Sequence, residues 1–382
     1  MNNKNETYAS YSAYLCISLI TVYYMLSISK ITEEFNLNIN VLVYCAIPIF
    51  ALNIILQNPS IKQLGMYILC IILGIFSLVI TSQATILLTL MQIICCFSCN
   101  IKHTMRIMLK IEIAILLINI FLALVGVVSN ENVQYQRSST FLGGLIYRNS
   151  LGFSHYNGLG MIGFEITSLC ILGFNKIRKN SIVAKFTLVL FNIVIYLISG
   201  DRTAFLSCIL FVILLLLKKD VRLKQHLYML AVACLVAFPI VCTWGIFILN
   251  EKLPNLFNVI NNLFQTRPFY ILGYISNYGI NLWGNNIRGP LLGLWGDSTQ
   301  GFNATLDSGF ANLVITYGIV LTIIFVLVMI NLVNNLNKAQ KYSWIIYIIV
   351  ICVYGLSENL LPFFTYNLSF MMFPYLLRKK VK

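Results

Sequence analysis

Residues 250–307 read NEKLPNLFNVINNLFQTRPFYILGYISNYGINLWGNNIRGPLLGLWGDSTQGFNATLD, and no other long stretch of the chain is too polar to sit in hydrocarbon. It carries Arg267, Arg288, Asp297 and Asp307, with aromatic side chains running between them. Nearly everything on either side reads as apolar helix. The fold class follows: an all-α, polytopic integral membrane protein whose helices hold this loop, and a few buried polar groups beneath it, over the outer face of a membrane.

Composition supports that reading. Of the 382 residues, 59% are hydrophobic and 10% charged, and the mean hydropathy is +0.84, whereas soluble domains carry about 25% charged residues. A span takes about 20 apolar residues, and lipid-facing backbone must satisfy its own hydrogen bonds. Strand-like alternation is absent, which argues against a barrel. Twelve spans are expected, at roughly 8–28, 37–56, 64–81, 84–100, 107–128, 150–174, 183–199, 203–217, 227–249, 308–331, 343–357 and 362–377. The chain then divides into residues 1–249 with nine helices, the extracytoplasmic loop 250–307, and residues 308–382 with three helices and a basic tail. Residues 1–7 are too short for a cleavable signal.

The net charge of +14 is placed for a membrane rather than for nucleic acid. With a cytoplasmic N-terminus, nineteen of the 26 Lys and Arg residues fall in inner segments and seven in outer ones. This bias puts both termini in the cytoplasm and the 250–307 loop outside. The eleven cysteines all lie in or beside apolar runs, and Cys95, Cys96 and Cys99 have no histidine or carboxylate beside them. Helix packing explains them better than a disulfide framework or a zinc site. No metal and no cofactor is expected.

Four outer clusters carry candidate chemistry. Arg148 and His155 lead into span six with Asn157, and their spacing of seven would place them on one helical face; Glu165 lies deeper in that span. The competing reading makes the glycines here helix-packing residues and His155 an interface residue. In the turn Ser199-Gly200-Asp201-Arg202-Thr203, Asp201 or Thr203 would cap span eight. Arg202, by contrast, stands against the helix dipole; an anion bound there would relieve it and meet the first-turn N–H groups. In the loop, Arg267 follows an amphipathic stretch, and Tyr270, Tyr274 and Tyr278 form a helical stripe followed by Trp283 and Trp295. Such aromatics with Asn277, Asn281, Asn285 and Asn286 suit sugar rings, or equally an interfacial belt on lipid headgroups. Finally, Asp307 opens span ten as an N-cap or as a base at a cavity mouth, and Glu358-Asn359 marks the turn before span twelve. Arg148, Arg202 and Arg267 together would hold a pyrophosphate through bidentate charge-assisted bonds.

These pieces have a familiar order. Arg148 with Leu-Gly-Phe-Ser-His155-Tyr-Asn157-Gly-Leu-Gly160, then Ser199–Thr203, Arg267 with Tyr274–Gly284, Asp307-Ser-Gly-Phe310 with Tyr317-Gly318, and Glu358-Asn359 with Asn367 resemble the O-antigen and capsular polysaccharide polymerases, a superfamily that also holds the O-antigen ligases. The resemblance covers about residues 145–370. Members often have proline where Tyr156 stands and serine where Asp201 stands, and the ligases carry histidine near Asp307, so that aspartate favours a polymerase.

The resemblance implies that a growing glycan on undecaprenyl pyrophosphate is transferred onto an incoming lipid-linked repeat unit at the outer face of the cytoplasmic membrane, releasing the lipid pyrophosphate without a metal. It implies Arg202 and Arg267, assisted by Arg148, on the pyrophosphate, and His155, Glu165 or Asp307 as general base. Asn157, Tyr270, Tyr274, Tyr278 and Trp283 would bind sugar. The implied partners are the undecaprenyl-pyrophosphate-linked oligosaccharide, membrane lipid, a chain-length regulator and a flippase; nucleic acid is not among them. Two alternatives stay open: a flippase or transporter of lipid-linked oligosaccharide, and a ligase-like glycan transferase.

Overall fold

The computed structural model describes residues 3–130, 132–137, 144–175, 177, 181–217, 221–264, 266–287 and 306–377. Among them, seven helical runs are long and apolar enough to cross a membrane: Asn5–Ser27, Asn40–Gln57, Ile61–Thr81, Ile101–Leu124, Ile182–Ser199, His226–Lys252 and Gly318–Lys338. Thr85–Cys95, Arg202–Leu217 and Tyr342–Tyr354 are apolar but shorter. Large apolar side chains such as Ile55, Val79, Leu197 and Leu327 stand exposed on these helices, as a lipid-facing surface requires. The fold is thus helical and of membrane type. The chain separates into two compact units, one of Met1–Ile68, Leu90–Leu217 and Phe364–Pro374, the other of Leu69–Thr89, Lys218–Phe363 and Tyr375–Lys382.

The first unit is built on α1 (Asn3–Ser27), α3 (Asn40–Gln57), α6 (Ile101–Leu124), α7 (Tyr156–Gly173), α8 (Ile182–Ser199) and α9 (Arg202–Leu217), with the short α2 (Lys30–Glu34) after α1. α1 and α3 run antiparallel. They are joined by Asn53, whose buried amide donates to the Ala9 carbonyl at 2.7 Å and the Ser12 hydroxyl at 3.0 Å. α1 and α6 run parallel, since Tyr14 at the middle of α1 meets His103 at the start of α6 and, further along both, Ser29 just past α1 donates to Asn119. α7 is buried at thirteen of its eighteen positions. Its glycines admit that closeness: a Cβ on Gly163 would stand 2.5 Å from Ile195 of α8.

Two expectations are corrected in this unit. A small antiparallel hairpin pairs β1 (Asn132–Arg137) with β2 (Gly144–Asn149), Val133 opposite Arg148, so the chain is not free of strand. Span six also does not begin at 150. Leu151 and Gly152 hold positive φ of 45° and 83°, which stops a helix, and α7 starts only after His155. Arg148 therefore lies on a strand and does not share a helical face with His155.

The second unit holds α10 (Val221–Ile240), α11 (Ile246–Lys252), α12 (Pro254–Leu263), α13 (Arg267–Tyr278), α14 (Gly309–Ile315), α15 (Gly318–Lys338) and α16 (Tyr342–Tyr354). Between α10 and α11 the helix widens into one π-helical turn, Val241–Gly245. Pro239 lies inside α10 just ahead of it, and its missing N–H and ring loosen the ladder there. Span ten is not one helix but two. The chain breaks at Gly318, φ 89°, and the break is bolted to the loop ahead. Asn285 N donates to Thr316 O, and Ile319 N and Val320 N donate to the carbonyls of Asn281 and Leu282, all at 3.0–3.1 Å. Span twelve is corrected as well. After α16 the chain runs through turns to a 3-10 turn, Leu368–Met372, and a last turn, α17 (Pro374–Leu377). Pro362 and Pro374 hinder a continuous ladder, and Asn367 spends its side chain on the amide of Ser369. The 84–100 span ends at Cys95, where α5 (Thr85–Cys95) stops.

Gly318→Ala tests the bolt. A Cβ there would stand 2.4 Å from the Gly284 nitrogen, and the positive φ alone costs about 1–2 kcal/mol. The melting temperature of the purified protein should fall clearly, whereas Gly65→Ala in α4 (Ile61–Thr81), whose Cβ would meet nothing within 4 Å, should leave it nearly unchanged.

Candidate functional site

In the first unit, β2, the start of α7 and the turn between α8 and α9 meet. Gly200 ends α8 in a left-handed conformation, φ 67°. A side chain there would crowd the Arg148 stem, 3.1 Å from Cγ and Nε, so glycine is what lets the arginine lie against the turn. Arg148 is 6% exposed, and its guanidinium lies over the Tyr156 ring at 4.3 Å from the centroid, a cation–π contact. Asp201 caps α9: Oδ1 accepts from Thr203 N at 3.0 Å, Ala204 N at 3.2 Å and the Thr203 hydroxyl at 2.8 Å. A Cβ on Gly160 would collide with this carboxylate, so α7 is fitted to the cap.

Arg202 follows as the first residue of α9. Its Nε and Nη2 are shut off from solvent and have no hydrogen-bond partner among the described residues. The sequence expectation is narrowed in one respect: Asp201 already occupies the amides of Thr203 and Ala204, two of the first-turn N–H groups an anion would have met. The guanidinium itself would then carry more of the contact.

His155 caps α7, its Nδ1 accepting from Asn157 N at 3.2 Å, and its ring lies on Tyr156 at 3.9 Å. Asn157 thus meets His155 through its backbone. Glu165 is not part of this group. Ten residues further along, it lies about 15 Å down the axis, is 1% exposed and faces α6.

The second unit gathers a different set. Arg267 opens α13 after Thr266, which adopts φ 64°. Its Nη2 donates to Glu358 Oε1 at 2.8 Å and its Nε to Asp307 Oδ2 at 3.5 Å. Asp307 is not the helix cap it promised to be. Ser308 caps α14, its hydroxyl accepting from Ala311 N, which leaves the carboxylate of Asp307 for the arginine. Glu358, absent from the expected site, is the shorter of the two partners. In the sequence it stood only as the turn before span twelve and as a piece of the resemblance, with no role assigned. Beside it, Asn359 accepts from the Asn312 amide at 2.8 Å.

The tyrosine stripe forms as expected on α13, with Tyr274 and Tyr278 stacked at 6.1 Å. Tyr274 is buried, however, and burial, with Tyr278 and Asp307 nearby, pushes its phenol up to about 12. Tyr270 and Tyr278 are half-buried, while Trp283 is exposed and stands edge-on to Phe76 at 5.3 Å. The asparagines expected to meet sugar bond within the chain: Asn285 donates to Gly279 O and Ile315 O, Asn281 to Asn285, Asn277 to Gly273 O. Arg288, Trp295 and Asp297 lie outside the described residues. Among the described residues, no three His, Cys, Asp or Glu side chains group so as to hold a metal ion.

Arg267→Ala should leave Asp307 and Glu358 facing each other without a cation. Side chains that are 16%, 32% and 11% exposed place the loss between an exposed and a buried pair, at about 1–3 kcal/mol. A cycle with Glu358→Gln, followed by thermal melting, should show the two single losses to be non-additive. Compared with protein-family models, curated proteins and solved structures, the chain matches none of them.

Proposed function

We propose that the chain joins glycans at the outer face of a membrane, as a polysaccharide polymerase that transfers a growing chain from undecaprenyl pyrophosphate onto a lipid-linked repeat unit. The observation that carries this reading is Arg202, whose Nε and Nη2 are buried without a partner, with a second buried arginine, Arg148, at the same turn. A charge-assisted bond contributes roughly 1.5–3 kcal/mol, so an anionic group gains from binding there. In the proposed step, the acceptor hydroxyl forms a bond to the anomeric carbon and the bond from that carbon to the pyrophosphate oxygen breaks. The lipid pyrophosphate leaves with the electron pair, its charge held by arginine. The hydroxyl proton passes to a base, for which His155 and Asp307 are the candidates at helix starts. Glu165, enclosed at the middle of α7, is the remote one. Arg267, in the second unit, would bind an anion only where that anion displaces a carboxylate from it. The basic bias of the loops supports cytoplasmic termini and an outer position for residues 250–307.

A second reading draws on a different observation. Glu112 and Glu165 are enclosed at mid-helix without partners for three of their oxygens, which suits a carrier that moves lipid-linked oligosaccharide across the membrane. The phenotype of a null strain separates the two: a polymerase null displays single repeat units, a carrier null traps them inside.

Arg202→Ala and Arg267→Ala, each made at wild-type protein level, should shorten or abolish the glycan ladder on gels. Arg202→Ala should have the larger effect. A full-length ladder from both variants would refute the assignment.

A further inference from the structure

Glu112 and Glu165 belong to no outer cluster. Glu112 is the twelfth residue of the 24 in α6, and Glu165 the tenth of the 18 in α7. Both are therefore at the midpoints of their helices. α6 and α7 pack antiparallel, and the start of α6 meets the end of α7, where a Cβ on Gly173 would stand 3.4 Å from Met105. From that contact, Glu112 is seven residues along α6 and Glu165 eight residues back along α7, so both rise about 10–12 Å. The two carboxyl groups thus share one level on facing helices. They are 0% and 1% exposed.

Two amides near them are satisfied. Asn119, two turns on in α6, donates to Ile115 O at 2.9 Å, and Asn192 of α8 donates to Thr167 at 2.6 Å. The acids differ: among the described residues, both oxygens of Glu112 and Oε1 of Glu165 lack any hydrogen-bond partner. Ser168, one turn on from Glu165 and 0% exposed, also has a hydroxyl without a partner. A pair serving only to tie two helices would show a carboxyl-to-carboxyl hydrogen bond through these oxygens. Unanswered acceptors at mid-depth, where a charge costs about 2.5–3.5 kcal/mol even on insertion scales, call for a positive occupant.

We propose that Glu112 and Glu165, with the Ser168 hydroxyl, form a site for a small monovalent cation, a proton or a sodium ion, at the middle of the α6–α7 pair. Two carboxylates without a third His, Cys, Asp or Glu grouped with them, among the described residues, offer too few hard oxygens for a calcium ion, which takes six to eight. The other titratable groups facing the pair are Cys170 of α7 and Tyr366, both within electrostatic reach, Tyr24 at the same level of α1, whose carbonyl accepts from Tyr366, and Cys208 of α9 beside Thr167. The cation of α8, Lys185, stands two turns from Asn192, and Arg106 of α6 lies over the Phe174 ring at the far end. None of these supplies the missing charge.

The site is independent of the glycan-joining reading, and its test reads no glycan. The full chain, purified in detergent, is melted in sodium chloride and in choline chloride at equal ionic strength, from mildly acid to mildly alkaline pH. A sodium-dependent rise in melting temperature of about 3 °C or more identifies a sodium ion. A pH-dependent rise toward acid that is equal in both salts identifies a proton. Glu112→Gln and Glu165→Gln should each abolish the dependence seen. A wild-type melt indifferent to both ions, or a dependence that survives in both variants, overturns the proposal. Where the variants do not fold, infrared difference spectra of the wild type between the same conditions replace them: a change in the carboxyl stretching region of solvent-shielded groups supports the site, and its absence there overturns it.

Discussion

A charge carried into an apolar helical bundle must find its opposite, because little water reaches it. That constraint sorts the ionisable groups of this chain more sharply than their positions along it. Arg267 meets it fully, with Glu358 and Asp307 in bonding range. Asp201 meets it by taking the amides at the head of α9. Among the described residues, Nε and Nη2 of Arg202, both oxygens of Glu112 and Oε1 of Glu165 have no hydrogen-bond partner. What is answered internally holds the fold together, and the atoms left unanswered are the ones on which the proposed ligands rest.

Glycine decides where those groups can lie. Gly160 makes room for the Asp201 carboxylate, Gly200 for the stem of Arg148, and Gly284 and Gly318 for each other's backbone. In the last pair both residues hold positive φ, 96° and 89°, which no β-carbon would tolerate at such separations. The polar loop is held on its helix break by main-chain hydrogen bonds from Asn285, Ile319 and Val320. The order of glycines that reads in the sequence as part of a functional signature is, at these positions, a set of close approaches.

The helical class was legible because spans announce themselves through length and apolarity alone, as Ile61–Thr81 and Ile101–Leu124 do. Their ends were less legible. Leu151, Gly152, Pro362 and Asn367 sit among apolar residues, and a hydropathy window averages them away, although each interrupts the ladder. The hairpin at 132–149 escaped for a related reason: six-residue strands carry little periodic signal between helices. At the site, the arginines were visible as costly residues in apolar surroundings. Their partners were not, since Glu358 lies 91 residues from Arg267 and no spacing rule links them. The internal bonds of the asparagines were not legible either, because an amide next to a broken helix is drawn to free carbonyls, as Asn285 is to Ile315 and Gly279.

The two arginine clusters differ in what a ligand would have to do. At Arg202 an anion adds bonds to N–H groups that have none, and nothing need be released. At Arg267 it must compete with a carboxylate already at 2.8 Å, so its gain is the difference between two ion pairs. By that difference, equal anions would bind more strongly at the first guanidinium than at the second. Arg267 gains an advantage only when a proton on Glu358 or Asp307 weakens its internal pair. In the proposed reaction, an acceptor hydroxyl giving its proton to Asp307 would weaken that pair and so free the Arg267 guanidinium for an anion.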